Sequence, residues 1–218
     1  DQDIGSWDVS SGSFFEGMFA EADAFNQDID NWDVSSGSNF RGMFQNADAF
    51  NQDISSWNVS SGNDFGYMFY EAGAFNQDIG SWDVSAITDF ESMFSHADTF
   101  NQDIGSWDVS SGTNFSYMFN SADAFNQNIG NWDVSDTANL TDMFTDAELM
   151  KSNFGFSSTP TSADFNQPII TVFTDRTTLD NAVAAWIADE TSAIETYGDI
   201  NTWDVSAITD FSELFKSE

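Results

Sequence analysis

A 25-residue unit recurs through most of the chain, and this repetition constrains the fold more than any other feature. Each unit carries Ile, Trp, Met and Phe at fixed places. The tryptophans mark the period without a slip: Trp7, Trp32, Trp57, Trp82, Trp107 and Trp132. A single unit of this size cannot bury its own aromatic side chains, whereas stacked units bury them against like residues. The sequence therefore predicts a solenoid in which Trp7 through Trp132 are buried in register.

Two periods within the unit predict its local structure. In the first unit, Ile4, Trp7 and Val9 have the spacing of leucine-rich repeats, and Trp-Asp-Val alternates as a half-buried strand does. A Ser/Gly cluster that can turn the chain follows. Residues 15–22 then carry apolar side chains at the spacing of a short amphipathic helix. We therefore expect an α/β solenoid, a leucine-rich-repeat-like right-handed coil with a parallel sheet of short strands and short helical turns opposite.

The period breaks after Phe144, and this break sets the predicted organisation of the chain. It comprises six tandem repeats at 1–144, an insertion loop at 145–164, a degenerate repeat with a longer helix at 165–198, and a further repeat, which we expect to be truncated, at 199–218. The longer helix is predicted to begin at Thr177 or Thr178. The insertion is expected to decorate one edge of the solenoid, with a C-terminal cap as the alternative.

The charge excludes several classes of function. Thirty-seven acidic residues against four basic ones give a net charge of −33. Nucleic-acid binding needs clustered Lys and Arg, so nucleic acid is not an expected partner. The chain has no long apolar run, and direct membrane insertion is not expected either. Cysteine is absent, His96 is the only histidine, and no catalytic or cofactor-binding motif occurs, so the sequence predicts that the protein is not an enzyme.

The repeat also aligns acidic residues in columns. One column contains Asp8, Asp33, Asp83, Asp108 and Asp133, with Asn58 at the third place, and another contains Asp78 and Asp103. At the spacing of paired strands, about 4.8 Å, two such charges repel by roughly 0.9 kcal/mol in water before salt screening. One interpretation is that these seven aspartates hold calcium, which binds carboxylate oxygens. The other is that one column caps turns and the rest form a solvated face.

The asparagines fall into two groups. Those at the return bend are expected to satisfy backbone groups of their own coil and of the next one, as the Asn of leucine-rich repeats does: Asn26, Asn51, Asn76, Asn101, Asn126 and Asn166. Asn58, Asn114 and Asn139 lie in glycosylation sequons, which are relevant only if a eukaryote secretes the protein.

The motifs Phe-Asn-Gln and Trp-Asp-Val-Ser, seen together in residues 75–94, resemble the repeats of BspA-like leucine-rich-repeat surface proteins, a family that includes lipoproteins of mycoplasma type. The resemblance covers 1–144 and 199–215. It implies secretion or surface anchoring, and adhesion or scaffolding rather than catalysis. Four units depart from the family pattern by having Ser-Gly after the Trp-Asp-Val-Ser motif or its Asn58 variant, where an apolar residue and Thr are usual.

Two functions follow as hypotheses, both extracellular or at the cell surface. The first is a structural repeat protein that forms a rigid acidic rod or scaffold in a surface layer or appendage, with copies of itself or other surface components as protein partners. The alternative is an adhesin or receptor-like module whose acidic sheet face captures a cationic or calcium-bridged partner. The turn residues beside Trp-Asp-Val barely vary between units, which favours the structural role.

Overall fold

The computed structural model describes residues 3–165, 173–197, 200, 203, 205–212 and 214. It divides into two compact units, residues 1–166 and 167–218. The first contains α1 (Glu148–Phe154) and a short 3₁₀ helix (Ser162–Asp164), and the second contains α2 (Arg176–Ala188) and α3 (Glu190–Tyr197). The bend asparagine Asn166 lies outside the described residues.

A backbone hydrogen-bond ladder joins each of the six repeats to the next. The amides of Phe15 and Phe19 donate to carbonyls one repeat further on, at Asn39 (2.8 Å) and Met43 (2.8 Å). The pattern continues to Ser121, whose amide donates to the Thr145 carbonyl over 2.8 Å. Single parallel bridges pair the same place of every repeat: Phe14, Asn39, Asp64, Asp89, Asn114 and Asn139. The repeats therefore stack directly on one another, while the handedness of the coil stays a prediction.

The segment predicted to be helical is a run of tight turns, so that prediction is wrong. In the first repeat Gly17 and Glu21 both have φ near 60°. Met18 N–H donates to the Phe15 carbonyl over 3.2 Å, and the same bond recurs four residues later. A positive φ at the third residue of such a turn is typical of type II and incompatible with an α-helix. Because the chain turns back repeatedly, alternate N–H groups face the next repeat and form the ladder.

The predicted strand is also wrong. Within residues 3–144 the structure has single bridges but no strand, and Trp-Asp-Val forms none of those bridges. Trp82 N–H instead closes a turn on the Ile79 carbonyl over 3.1 Å. Ile87 N–H closes the next turn on Val84 over 2.9 Å. The backbone groups of this side are thus used by local turns, which leaves no sheet of Trp-Asp-Val segments.

Aromatic columns form the core of the repeats. The rings that begin with Phe19 stack from repeat to repeat at 5.6–5.8 Å. Those that begin with Phe25 stack at 5.8–6.0 Å. The prediction of Trp burial is confirmed from Trp32 to Trp132, whose indole N–H groups donate to the Ile carbonyl of the preceding repeat over 3.0–3.2 Å. It is wrong for Trp7, which is 54% exposed.

Residues 145–165 cover the sixth repeat. Met150, on α1, and Phe165 are buried in the same core as the repeats. Phe144 N–H donates to the Ser158 carbonyl over 2.9 Å. In the other repeats the equivalent Phe amide donates to the Met carbonyl of the next repeat. The Phe165 ring stacks on Trp132 with centroids 6.5 Å apart. The predicted insertion loop therefore contains a helix and packs against the sixth repeat, and the capping alternative stays a prediction.

The second compact unit has a small core of its own, formed by Phe173, Leu179, Ala182, Val183 and Ile208. The α2 helix begins after Asp175, whose carboxylate accepts a hydrogen bond from Thr178 N–H over 2.9 Å. The N-cap is therefore Asp175 and not Thr177 or Thr178, because the β-region backbone of Asp175 aims its side chain at the first turn.

Candidate functional site

The first predicted column of acids caps local turns. Asp83 Oδ1 accepts hydrogen bonds from the Ser85 hydroxyl over 2.6 Å and from the Ser85 amide over 3.2 Å. The same pair of bonds is made by Asp8, Asp33 and Asp108, and by Asn58. The Ser hydroxyl, and then the Ser amide, lowers the pKa of Asp8, Asp33, Asp83 and Asp108. Asp133 holds the same place in the sixth repeat and is exposed.

The second column does the same over a different turn. Asp78 and Asp103 are exposed, and each Oδ1 accepts the amide N–H of the glycine two residues on, over 3.0 and 2.9 Å. Among the described residues, no group of three or more His, Cys, Asp or Glu side chains is arranged to hold a metal ion. The structure therefore places the predicted calcium ligands in separate local turns and does not gather them into one ligand set. Calcium binding stays an alternative hypothesis beside turn capping.

The asparagine ladder is confirmed as a structural feature over the described residues. Asn51 Oδ1 accepts from the Asn76 amide (2.9 Å) and from Gln77 Nε2 (2.8 Å), both in the next repeat. Equivalent bonds link the other neighbours from Asn26 to Asn126. These side chains therefore contribute to the hydrogen bonding between adjacent coils.

The three sequon asparagines differ in their surroundings. Asn58 is exposed. Asn114 is partly buried, and its Nδ2 donates to Asp89 Oδ1 over 3.1 Å. Asn139 is exposed, and its Nδ2 donates to Asn114 Oδ1 over 3.2 Å. Because glycosylation modifies this nitrogen, Asn58 is the best placed of the three, and its modification stays a prediction.

The repeats differ from one another on the surface that carries the backbone ladder. We define the ladder face as residues 39–46, 64–71, 89–96 and 114–121. A charged cluster lies on it. Arg41 pairs with Glu91 (2.7 Å) and Asp89 (3.3 Å), and its guanidinium lies over the Tyr67 ring, 4.8 Å from the centroid. Burial raises the pKa of Asp89.

The guanidinium of Arg41 occupies a space that the sequence leaves open. Gly66 stands in the third repeat where the neighbouring repeats carry Arg41 and Glu91. A Cβ atom at Gly66 would collide with the Arg41 guanidinium. The Tyr67 hydroxyl donates to Glu91 over 3.0 Å, and burial followed by this bond raises the pKa of Tyr67. The ladder face therefore holds a cation between carboxylates and an aromatic ring.

An aromatic strip continues from this cluster. The Tyr67 and Tyr70 rings lie 5.6 Å apart, and Tyr70 meets the His96 ring edge-on at 6.0 Å. With Tyr117, which is 40% exposed, they line a concavity of about 380 Å³. A hydrogen bond to Glu71, and then burial, raises the pKa of Tyr70. Three of the four tyrosines and the only histidine of the chain are thus gathered here.

A second concavity, of about 550 Å³, adjoins the strip and shares His96 with it. Its acidic walls are Asp48, Glu71 and Asp98. Gly73 stands where the neighbouring repeats carry Asp48 and Asp98, and a Cβ there would meet no atom within 4 Å. The missing side chain therefore leaves an open acidic hollow beside the aromatic strip.

Sequence reasoning missed this site because it looked for variation along Trp-Asp-Val and treated the variable segment as a buried helix stripe. The signal was present. Tyr67 and Tyr117 replace the glycines Gly17 and Gly42 of the first two repeats, and Tyr70 replaces the small residue Ala20. The sequence shows where these replacements occur. That the replaced residues share one surface depends on the turns of the folded chain.

Comparison with known proteins identifies a family to which the repeats are similar. The profile of a family described as "Mycoplasma protein of unknown function, DUF285" matches residues 1–81, 63–159 and 187–218. No curated protein and no solved structure matches the chain significantly. Among the described residues, no helix has the length and apolar character needed to cross a bilayer.

Proposed function

We propose that this chain, which belongs to the DUF285 family of Mycoplasma proteins of unknown function, is a non-enzymatic repeat protein that serves as a rigid acidic scaffold at the cell surface. The resemblance of its repeats to BspA-like leucine-rich-repeat proteins supports the extracellular placement. It also supports a right-handed solenoid as the overall path of residues 1–144. Copies of itself and other surface proteins are the proposed partners.

The unbroken bonding between repeats is the observation that carries the scaffold proposal. Each repeat is joined to the next by backbone bonds, by bend asparagines and by indole N–H groups, and each interface is filled by stacked rings. In such an array, bending one junction breaks several bonds together, so the stack resists deformation. The exposed acids add solubility and, through charge, disfavour non-specific association.

A second candidate function, an adhesive or receptor-like binding module, is favoured by the ladder face. A purely structural array has no need to vary its surface, yet Arg41, Tyr67, Tyr70 and His96 each interrupt the repeat. They lie together on one face, where Tyr67, Tyr70 and His96 line one concavity and His96 also lines a second. The two functions are compatible, because a stiff array presents a binding surface with little loss of conformational entropy.

The scaffold proposal is tested by hydrogen exchange and by surface labelling. We expect the ladder amides from Phe40 to Phe119 to exchange slowly and with similar protection. We also expect an impermeant amine- or carboxyl-reactive label to modify the protein on intact cells of its source organism. Ladder amides that exchange at unfolded rates would refute the rigid scaffold, and labelling seen only after lysis would refute the surface location.

A further inference from the structure

We propose that the ladder face binds an arginine side chain of a partner peptide, with the guanidinium held between the Tyr70–His96 rings and the acidic hollow beside them. This inference rests on the binding-module candidate and names its site and the chemistry of its partner. The arginine site comprises Tyr67, Tyr70, His96 and Tyr117 on one side and Glu71 and Asp98 on the other.

The protein already contains one example of this arrangement. Arg41 lies over Tyr67 while its nitrogens contact Asp64, Asp89 and Glu91. A guanidinium above a tyrosine ring gains from the negative face of the ring, and nearby carboxylates accept its N–H groups. The chain thus supplies its own ligand at the first position of the aromatic strip.

Further along the strip, at Tyr70 and His96, aromatic rings again lie beside carboxylates. Among the contacts that the structure describes, no arginine or lysine side chain lies over these rings. Tyr70 and His96 supply ring faces and edges, and Glu71 and Asp98 supply carboxylates. Gly73 opens the hollow between them, as Gly66 opens the space for Arg41. Each glycine stands where the neighbouring repeats carry a larger residue. The missing side chain leaves room for a cation beside an aromatic ring in both places.

The backbone supports a dedicated role for two of the tyrosines. Tyr67 and Tyr117 both have φ of 59°, a conformation that glycine adopts without strain and a tyrosine does not. Gly17 and Gly42 occupy the same place in the first two repeats. Placing an aromatic ring there costs stability. Tyr67 gains its contacts with Arg41 and Glu91 in return. The Tyr117 ring is 40% exposed, so packing does not explain it, whereas a ligand that contacts the ring does.

Charge selects an arginine peptide over the other ligand that a tyrosine-lined concavity suits, a neutral glycan. The chain has a net charge of −33, and the hollow itself is lined by three carboxylates. Such a field attracts cations and gives no advantage to an uncharged sugar. An anionic partner would be repelled.

The test uses the peptide acetyl-Gly-Arg-Gly-Arg-Gly-amide and its citrulline analogue, in which a neutral urea replaces each guanidinium with almost the same shape. Because His96 is the only histidine, its ring signals in a ¹H–¹³C NMR titration report directly on the site. We expect the arginine peptide to shift them saturably, and the citrulline peptide to bind at least about tenfold more weakly. Equal binding of the two peptides would overturn the proposal. So would shifts produced by a neutral glucose oligomer but not by the arginine peptide, which would assign a glycan site instead.

Variants built from residues of the other repeats separate loss of binding from loss of folding. Tyr70→Ala with Tyr117→Gly places in the site the residues found at Ala20 and Gly17, and we expect it to fold and to bind the arginine peptide at least about tenfold more weakly. Parent-like affinity in this variant would place the peptide elsewhere and overturn the proposal.

A second pair of variants controls for net charge. Glu71→Ser and Glu21→Ser remove one acid each from equivalent places, of which only Glu71 lines the hollow. We expect the first to weaken binding several-fold and the second to leave it unchanged. Equal effects would show attraction by net charge alone and overturn the assigned site. Failure of the arginine peptide to bind a protein whose ladder amides remain protected would reject this inference and leave the scaffold proposal standing.

Discussion

The stacking of the repeats is tested most directly by removing one central tryptophan. Trp82 is 4% exposed, packs against the Phe65 and Phe69 rings at 5.9 and 6.4 Å, and donates its indole N–H to the Ile54 carbonyl over 3.2 Å. Trp82→Ala removes a buried ring and leaves a cavity, which costs about 3–5 kcal/mol of the free energy of unfolding. About 1 kcal/mol of that is the share of the indole hydrogen bond.

Trp7 provides a matched control because it holds the same place in the repeat and is 54% exposed. Because this side chain is already largely exposed to solvent, its removal leaves an open surface and not a closed cavity. Trp7→Ala should therefore cost about 2 kcal/mol at most. The difference between the two variants isolates what the preceding repeat contributes.

The assay is urea unfolding followed by near-UV circular dichroism, with hydrogen exchange to locate the damage. In Trp82→Ala we expect faster exchange in its own repeat and in the preceding one, around Phe90 and Phe65, than in the distant repeats, since each repeat contacts only its neighbours. Costs for Trp82→Ala and Trp7→Ala that agree within about 0.5 kcal/mol would refute the reasoning. So would a uniform rise in exchange along the whole array.

Three further predictions follow from the turns. Gly42→Ala, at φ of 60°, should lower the free energy of unfolding by about 1–2 kcal/mol, whereas Glu21→Gly, at the same φ, should raise the midpoint of urea unfolding. Ser85→Ala should raise the pKa of Asp83, which carboxyl ¹³C NMR measures. Because the pKa of Asp83 is depressed in the folded protein, this carboxylate stabilises the fold above about pH 4, and the stabilisation is lost as the pH falls. Calcium and sodium at matched ionic strength should raise the melting temperature equally, and a larger calcium effect that Asp83→Asn with Asp108→Asn abolishes would support the calcium hypothesis instead.

The sequence by itself was sufficient for features that depend on period alone. The spacing of the tryptophans predicted stacked repeats and buried Trp32 to Trp132, because like residues at equal spacing meet whatever path the chain takes between them. The bend asparagines were predicted for the same reason: an amide repeated at every bend reaches the backbone of the next coil. The helix in residues 15–22 was wrong, since apolar spacing does not reveal backbone φ, and Gly17, with φ of 60°, suits a turn and not a helix.

The tertiary structure alone decided where the variable residues meet. Arg41, Tyr67, Tyr70 and His96 come from three different repeats, and their juxtaposition depends on tight turns that place alternate side chains on the ladder face. It also decided the role of the acids: Asp83 is part of a charge column in the sequence, yet it bonds to Ser85 two residues away. A repeat fixes which residues are equivalent, but the direction of each side chain depends on φ and on hydrogen-bond partners, and these are set only when neighbouring coils are in place.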